Sequence, residues 1–324
     1  MELLKQYNRS LEEHLENAVA VREPEQLYDP IKYILTLGGK RLRPVLTLLS
    51  CDFFGEDYLK AMNAALAVEL FHNFSLIHDD IMDNAPLRRG KETVHEKWDL
   101  NTGILSGDAM LILAYRFFEG YEPMLFRELA KLFSKTAIEV CEGQQYDVDF
   151  ERRDDVTIEE YIKMIDYKTA VLIGAAMKMG AIVAGATESC KDSIYEFGRN
   201  LGIAFQLQDD YLDAFGNPDT FGKQVGGDII ANKKTFLYLT ALERSESSEA
   251  AELKHLFSIS PKDPSEKVNI VKRIFENSGA VDATEKEIAS YTDKANTVLD
   301  QIQISEERKE NLREFGTWLM RRKV

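Results

Sequence analysis

Apolar positions recur along this chain at three- and four-residue intervals, and neither strand alternation nor a hairpin turn is evident. The pattern predicts an all-α protein. Residues 2–21 read as an amphipathic helix. Pro24 and Pro30 then bracket a connector into the apolar run 31–35, Gly38-Gly39 stops that segment, and the next helix is expected to begin at Pro44. Further helices are predicted over 57–83, 100–118 and 123–150. Thr157, with Glu160 three residues on, is set to cap the one after. The stretch 171–186, rich in Ala, Gly and Met with Lys178 its one charge, reads as central in a bundle. A helix from about 192 leads to a glycine-punctuated loop over 215–234 that carries Lys223, Lys233 and Lys234. Amphipathic helices interrupted at 245–248 and 258–264 complete the chain.

At 324 residues and 44% apolar, the chain can bury the core of one large helical domain or two smaller ones. Its net charge of -15 argues against nucleic acid, so an anionic ligand must be met by local cation clusters. Cys51, Cys141 and Cys190 lack CxxC spacing, which gives no disulfide framework or zinc site and fits a reducing, cytoplasmic setting. No secretory signal or membrane-length apolar run is seen, so no membrane anchor is expected.

Two aspartate clusters organise the rest. Asp79-Asp80-Ile81-Met82-Asp83 is nearly repeated as Asp209-Asp210-Tyr211-Leu212-Asp213, each at the end of an apolar run. Helical spacing puts Asp79 with Asp83, and Asp209 with Asp213, on shared faces, where like charges repel unless a cation intervenes. Cations stand nearby in sequence: the turn Gly38-Gly39-Lys40-Arg41-Leu42-Arg43-Pro44, the segment Arg88-Arg89-Gly90-Lys91 after the first motif, and the 215–234 loop after the second. A basic turn at a helix start suits an anion. Carboxylate pairs beside basic loops point to divalent metal, magnesium above all, bridging protein to a phosphorylated substrate. No phosphate-binding glycine loop follows a strand, and no nucleophile–His–acid array is evident. Polar residues 142–147, late in a buried-looking helix, need partners or a ligand.

Taken in order, GGKRLRP at 38–44, the first DDxxD, LRRGKETVH at 87–95, GQQYD at 143–147, YKTA at 167–170, FQLQDDYLD at 205–213 and FGKQVGGD with KKT up to 235 closely resemble the trans-isoprenyl diphosphate synthases of the geranylgeranyl/farnesyl diphosphate type. The resemblance implies a single polyprenyl synthetase domain over 1–324, an isoprenoid-synthase bundle around a deep central cavity, and a homodimer. It implies three magnesium ions, with Asp79, Asp83 and Asp209 as ligands and Asp80, Asp210 and Asp213 in support. Arg88, Lys168, Thr169, Gln206, Lys223 and Lys233 would bind the allylic diphosphate (dimethylallyl, geranyl or farnesyl). Lys40, Arg43, His72 and Arg89 would hold isopentenyl diphosphate, with Arg321-Arg322-Lys323 closing over it. Gln144 and Asp147 match the family's GQxxD element.

The reaction so implied begins with ionisation. The departing diphosphate leaves an allylic carbocation, the double bond of isopentenyl diphosphate attacks it, and a proton is lost to the released diphosphate. His72 lies seven residues before Asp79, nearly in line on a helix, which favours a ligand role over a core histidine. His78 and His95 read as structural, and Met177 and Met179 as core. In the family, an aromatic five residues before the motif, here Phe74 with small Ser75 beside it, implies a C20 product; two adjacent aromatics imply C15. Phe71, one turn deeper, is the rival floor. A class I terpene cyclase normally replaces the second motif and lacks the basic isopentenyl site, while a non-catalytic regulatory subunit would have lost catalytic aspartates. Both remain alternatives.

Overall fold

The computed structural model describes residues 2–19, 22–216 and 225–320, and the chain divides into two compact units. The first comprises Met1–Lys135 with Ala175–Tyr195, the second Thr136–Gly174 with Glu196–Val324.

The first unit begins with α1 (Glu2–Ala18), α2 (Glu25–Thr36) and α3 (Leu42–Phe53). Pro30 lies inside α2, contrary to the connector expected there. Its missing N–H costs one helical hydrogen bond, and its ring is buried with Ile31, Ile34 and Leu35 on the inner face. Helix α3 starts two residues before Pro44, with Arg41 at its N-cap, because a proline in the first turn gives up an N–H that has no acceptor there. A single-turn helix, Tyr58–Ala61, precedes α4 (Met62–Met82), so the expected 57–83 helix is two elements. Asn84 at φ 48 ends α4, its N–H bonding the carbonyl of Ile81.

The sequence pattern missed a hairpin. Strands β1 (Leu87–Arg88) and β2 (Lys91–Glu92) pair antiparallel across Arg89-Gly90, both central residues having positive φ (53° and 74°). That is the twisted two-residue turn for which glycine at the second position is the local cue, but strands of two residues leave no alternation to read. Thr93 closes the base of the loop, its hydroxyl donating to the Ala85 carbonyl at 2.8 Å.

Helices α5 (Val94–Lys97) and α6 (Leu100–Phe118) follow. Gly103 and Gly107 let α6 lie against α4: a methyl on Gly103 would come within 2.9 Å of Ile81, and one on Gly107 would overlap the His78 ring. Gly180 plays the same part in the helix Val171–Val183, whose backbone meets α3 at Thr47 and Cys51. Met177 and Met179 are fully buried, as expected of core residues. Phe71, Phe118 and Phe133 centre the aromatic core, each such side chain contributing about 1.5–3 kcal/mol by leaving water.

Helix α7 (Pro123–Glu151) spans the sequence boundary of the units, as do α9 (Val171–Val183) and α10 (Glu188–Phe215). Within the second unit, Thr157 and Glu160 form the expected capping box at the start of α8 (Ile158–Ile165). Between α8 and α9 the chain widens into a π-helical turn, Asp166–Ala170, in which the Val171 N–H reaches the Asp166 carbonyl. Such turns carry an extra residue and are frequent at functional sites. The 215–234 segment holds a short helix, α11 (Gly227–Ile230), in its described part. Helices α12 (Phe236–Arg244), α13 (Ser247–Leu256), α14 (Ser265–Asn277), α15 (Ala280–Asp300) and α16 (Glu306–Met320) complete the unit. Its core joins Phe150, Tyr161, Leu207, Phe236, Leu253 and Phe275. Among the described residues no helix is long and apolar enough to cross a membrane.

Candidate active site

In the first unit the site is built on α4 and on the two basic turns around it. Gly38 and Gly39 adopt φ of 76° and 126°, and a side chain on Gly39 would overlap the Arg89 guanidinium. Arg89 instead donates to the Gly38 carbonyl, so the hairpin tip rests on the glycine turn that precedes Lys40. Arg43 Nη1 lies 3.2 Å from His72 Nε2. Because a guanidinium only donates, that ring nitrogen is the acceptor and is unprotonated. Burial first, then the charges of Arg43, Arg89, Arg88 and Arg41, hold the imidazole well below its usual range. Burial also leads the lowering of Arg89, with Arg41 adding to it. Arg43, His72 and Arg89 therefore share one strongly positive neighbourhood with Arg41, and Lys40 lies between Gly39 and Arg41 in the chain.

The first aspartate motif divides its labour. Asp80 is buried and takes a two-pronged ion pair from Arg88, both contacts at 2.7 Å. Asp79 is half-buried and Asp83 exposed, at the C-terminal end of α4. The Asp83 N–H bonds the Asp79 carbonyl, so the two lie one helical turn apart. Arg88, expected as a phosphate ligand, is oriented by Asp80.

The second unit assembles the other motifs around the π-helical turn. A methyl on Gly143 would overlap the Lys168 backbone nitrogen and lie 2.7 Å from its Cα; one on Gly202 would lie 2.7 Å from the Ala170 Cα. Glycine on both neighbouring helices thus lets the turn lie close between α7 and α10. Lys168 Nζ donates to Asp147 at 2.5 Å, and the Thr169 hydroxyl donates to Gln206 Oε1 at 3.1 Å. Gln206 in turn donates to Asp210 Oδ1 at 2.8 Å, and the Tyr161 hydroxyl donates to Oδ2. Burial, then the charge of Asp228, pushes the Asp210 carboxyl up to about 8; the hydrogen bonds from Tyr161 and Gln206 oppose the shift. Asp213 is buried and accepts the Asp228 N–H at 2.9 Å, holding the start of α11, while Asp209 is half-buried. Gln144 is buried with neither side-chain polar atom hydrogen-bonded.

Lys234, flagged in the sequence, is a structural residue. With its side chain 8% exposed, it donates to the Phe150 carbonyl at 3.0 Å and to the Arg153 carbonyl, closing the end of α7 beside Asp154. Its neighbour Lys233 is half-buried. Lys223 and Arg321-Arg322-Lys323 lie outside the described residues. The sequence also gave no sign of Tyr161, which reads as an apolar position of an amphipathic helix, or of the Arg41–Glu69 ion pair.

Phe74, at 8% exposure, packs on Phe71 with ring centroids 5.5 Å apart and on His78 at 4.8 Å. Phe71 in turn meets Phe133 edge-on at 5.2 Å. The two candidate floor residues are therefore in contact and belong to one aromatic cluster.

Among the described residues no three His, Cys, Asp or Glu side chains converge into a metal cage of protein atoms alone. The carboxylate pairs suit magnesium, which binds through one or two carboxylates together with substrate phosphate.

The chain is 38% identical over 310 residues to the geranylgeranyl pyrophosphate synthase of Geoglobus acetivorans, covering 95% of this chain and 94% of that protein. It is 36% identical over 288 residues to the geranylfarnesyl diphosphate synthase of Natronomonas pharaonis, covering 83% and 82%. A crystal structure of a geranylgeranyl pyrophosphate synthase matches with a TM-score of 0.95 and 56% identity over 99% of each chain. The all-α fold, the ordered motifs and a match to the polyprenyl synthetase profile over residues 24–275 converge on one conclusion: this chain is a prenyltransferase and belongs to the polyprenyl synthetase family.

Proposed function

We propose that this protein condenses isopentenyl diphosphate with an allylic diphosphate (dimethylallyl, geranyl or farnesyl), releases diphosphate, and makes C20 geranylgeranyl diphosphate as its main product, residues 1–324 acting as one polyprenyl synthetase domain. The observation that carries this reading is the spacing on α4. The positive neighbourhood of Arg43 and His72 lies seven residues, about 10 Å, before the Asp79/Asp83 pair, so one helix presents an anion site and a metal site in sequence.

Asp79 and Asp83, together with Asp209, would hold magnesium, three ions in all. They fit it: two carboxylates one turn apart at a helix C-terminus repel each other and the helix dipole, and a hard dication relieves both. When bound, the ions supply Lewis-acid stabilisation to the departing diphosphate.

The side chains do the rest. Lys40, Arg43 and Arg89 bind the diphosphate of isopentenyl diphosphate, with neutral His72 orienting Arg43. Lys168, Thr169, Gln206 and Lys233, with Arg88 and Lys223, bind the allylic diphosphate. Asp147 and Asp80 hold Lys168 and Arg88 in place, and Asp210 and Asp213 brace the second motif. Apolar walls exclude water, which would quench the carbocation to an alcohol. The proton lost after C–C bond formation goes to the released diphosphate, so no protein base is required. Phe74, backed by Phe71, stops the growing chain.

The C20 assignment is supported by the geranylgeranyl synthases among the relatives and by the lone aromatic at Phe74; C15 is the rival product. Exposed Leu105, Ile112 and Met124, at 58%, 60% and 75%, support a homodimer, and the cytoplasm is the proposed setting.

The test is turnover by purified protein with labelled isopentenyl diphosphate, magnesium and each primer, product length being read by chromatography. Elongated diphosphates, lost on chelation, are expected. Cyclic hydrocarbon would instead indicate a terpene cyclase, and silence with all three primers a non-catalytic subunit.

A further inference from the structure

Lys40-Arg41-Leu42-Arg43 offers three cations in sequence, yet the fold turns the middle one, Arg41, inward. Arg41 is 8% exposed and donates one guanidinium nitrogen to Glu69 and another to the Leu35 carbonyl. Its backbone is left-handed, φ 46 and ψ 33, a strained conformation for a non-glycine residue that persists only where the surroundings hold it. Glu69, itself 2% exposed, is braced on α4: Asn73 Nδ2 donates at 2.8 Å both to its carboxylate and to its backbone carbonyl.

One residue before Asn73, His72 accepts from Arg43. Helix α4 therefore grips the basic turn at two points, Arg41 through Glu69 and Arg43 through His72. The segment carrying Lys40 enters between Gly39, on which Arg89 rests, and the pinned Arg41. Glu69 also compensates the buried cation of the cluster, so that the cations of Lys40, Arg43 and Arg89 need not be spread apart to relieve it.

We propose that Glu69 is a positioning residue for the isopentenyl diphosphate pocket: acting through Arg41, it fixes the turn that carries Lys40 and Arg43 and touches no substrate itself. This rests on the reading of Lys40, Arg43, His72 and Arg89 as that pocket. Glu69→Gln keeps the shape and an acceptor for Arg41 but leaves the buried guanidinium uncompensated, so the turn must shift to hydrate it.

Three variants of the full-length enzyme test the idea by steady-state kinetics and thermal melting. Glu69→Gln is expected to raise KM for isopentenyl diphosphate roughly tenfold while kcat and KM for geranyl diphosphate stay within about twofold. The pair Arg41→Met/Glu69→Met removes both buried charges and is expected to regain most of the lost Tm while the raised KM persists. Lys40→Ala reports on the pocket itself and is expected to raise the same KM. A raised KM in Lys40→Ala with none in Glu69→Gln overturns the positioning role while the pocket stands. Recovery of KM together with Tm in the paired variant overturns it too, since Glu69 would then serve folding alone. No change in Lys40→Ala overturns the pocket and the inference with it.

Discussion

His72 Nε2 accepts a hydrogen bond from Arg43 Nη1 at 3.2 Å, which makes this histidine neutral at the centre of an arginine cluster. In the unfolded chain it titrates in the ordinary histidine range, near 6.5; in the folded protein its pKa lies well below that. As pH falls through about 6.5 the unfolded state takes up a proton that the folded state refuses, so stability is lost on acidification and is complete above that range. The slope this adds is up to about 1 kcal/mol per pH unit between 6.5 and 5.5. Urea unfolding at pH 7.5 and 5.5 should show wild type losing that much more than His72→Gln; equal losses would refute the assignment.

Gly143 faces the π-helical turn at a point where a methyl group would overlap the Lys168 backbone. Gly143→Ala is expected to cost about 1–3 kcal/mol by overpacking, and to raise KM for the allylic substrate because Lys168 and Thr169 move with the turn. Denaturant melts and KM values for both substrates check this. The isopentenyl diphosphate KM, which belongs to the other unit's residues, is expected to change much less.

Adjacent lysines should behave as opposites. Lys234→Met leaves the Phe150 and Arg153 carbonyls without their donor and is expected to cost about 1–3 kcal/mol, with KM values nearly unchanged in the protein that remains folded. Lys233→Met is expected to weaken allylic substrate binding about tenfold with a much smaller effect on stability. Thermal melts beside steady-state kinetics separate the two; identical behaviour would remove Lys233 from the site.

Phe74 and Phe71 touch, but Phe71 is 1% exposed and wedged against Phe133, whereas Phe74 is 8% exposed. Phe74→Ala is expected to shift products beyond C20 at a modest loss of stability. Phe71→Ala is expected to cost about 3–5 kcal/mol through the cavity it leaves. Chromatography of the products decides which residue limits length, and an unchanged distribution in Phe74→Ala would dismiss it as the floor.

Much of this was written in the local sequence. The Thr157–Glu160 cap and the α6 bounds depend on interactions within a few residues, and these were legible. The hairpin was not, because two-residue strands carry no period and only the Arg89-Gly90 turn marked them. Pro30 was read as a break for the general reason that prolines end helices; burial of its face of α2 outweighed that preference.

By itself the sequence determined the helical class, the two aspartate motifs and the inventory of cations, since periodicity, spacing and charge are properties of the chain. Only the tertiary structure decided which charges are partnered and by what. In sequence Arg41 and Lys234 are two cations among several in basic turns, and packing commits them to Glu69 and to the end of α7; Asp80 is one carboxylate of a repeated motif, and packing commits it to Arg88. The reason is physical: a charge taken out of water must find a counter-charge or a carbonyl within hydrogen-bond reach, and packing alone determines which group is there.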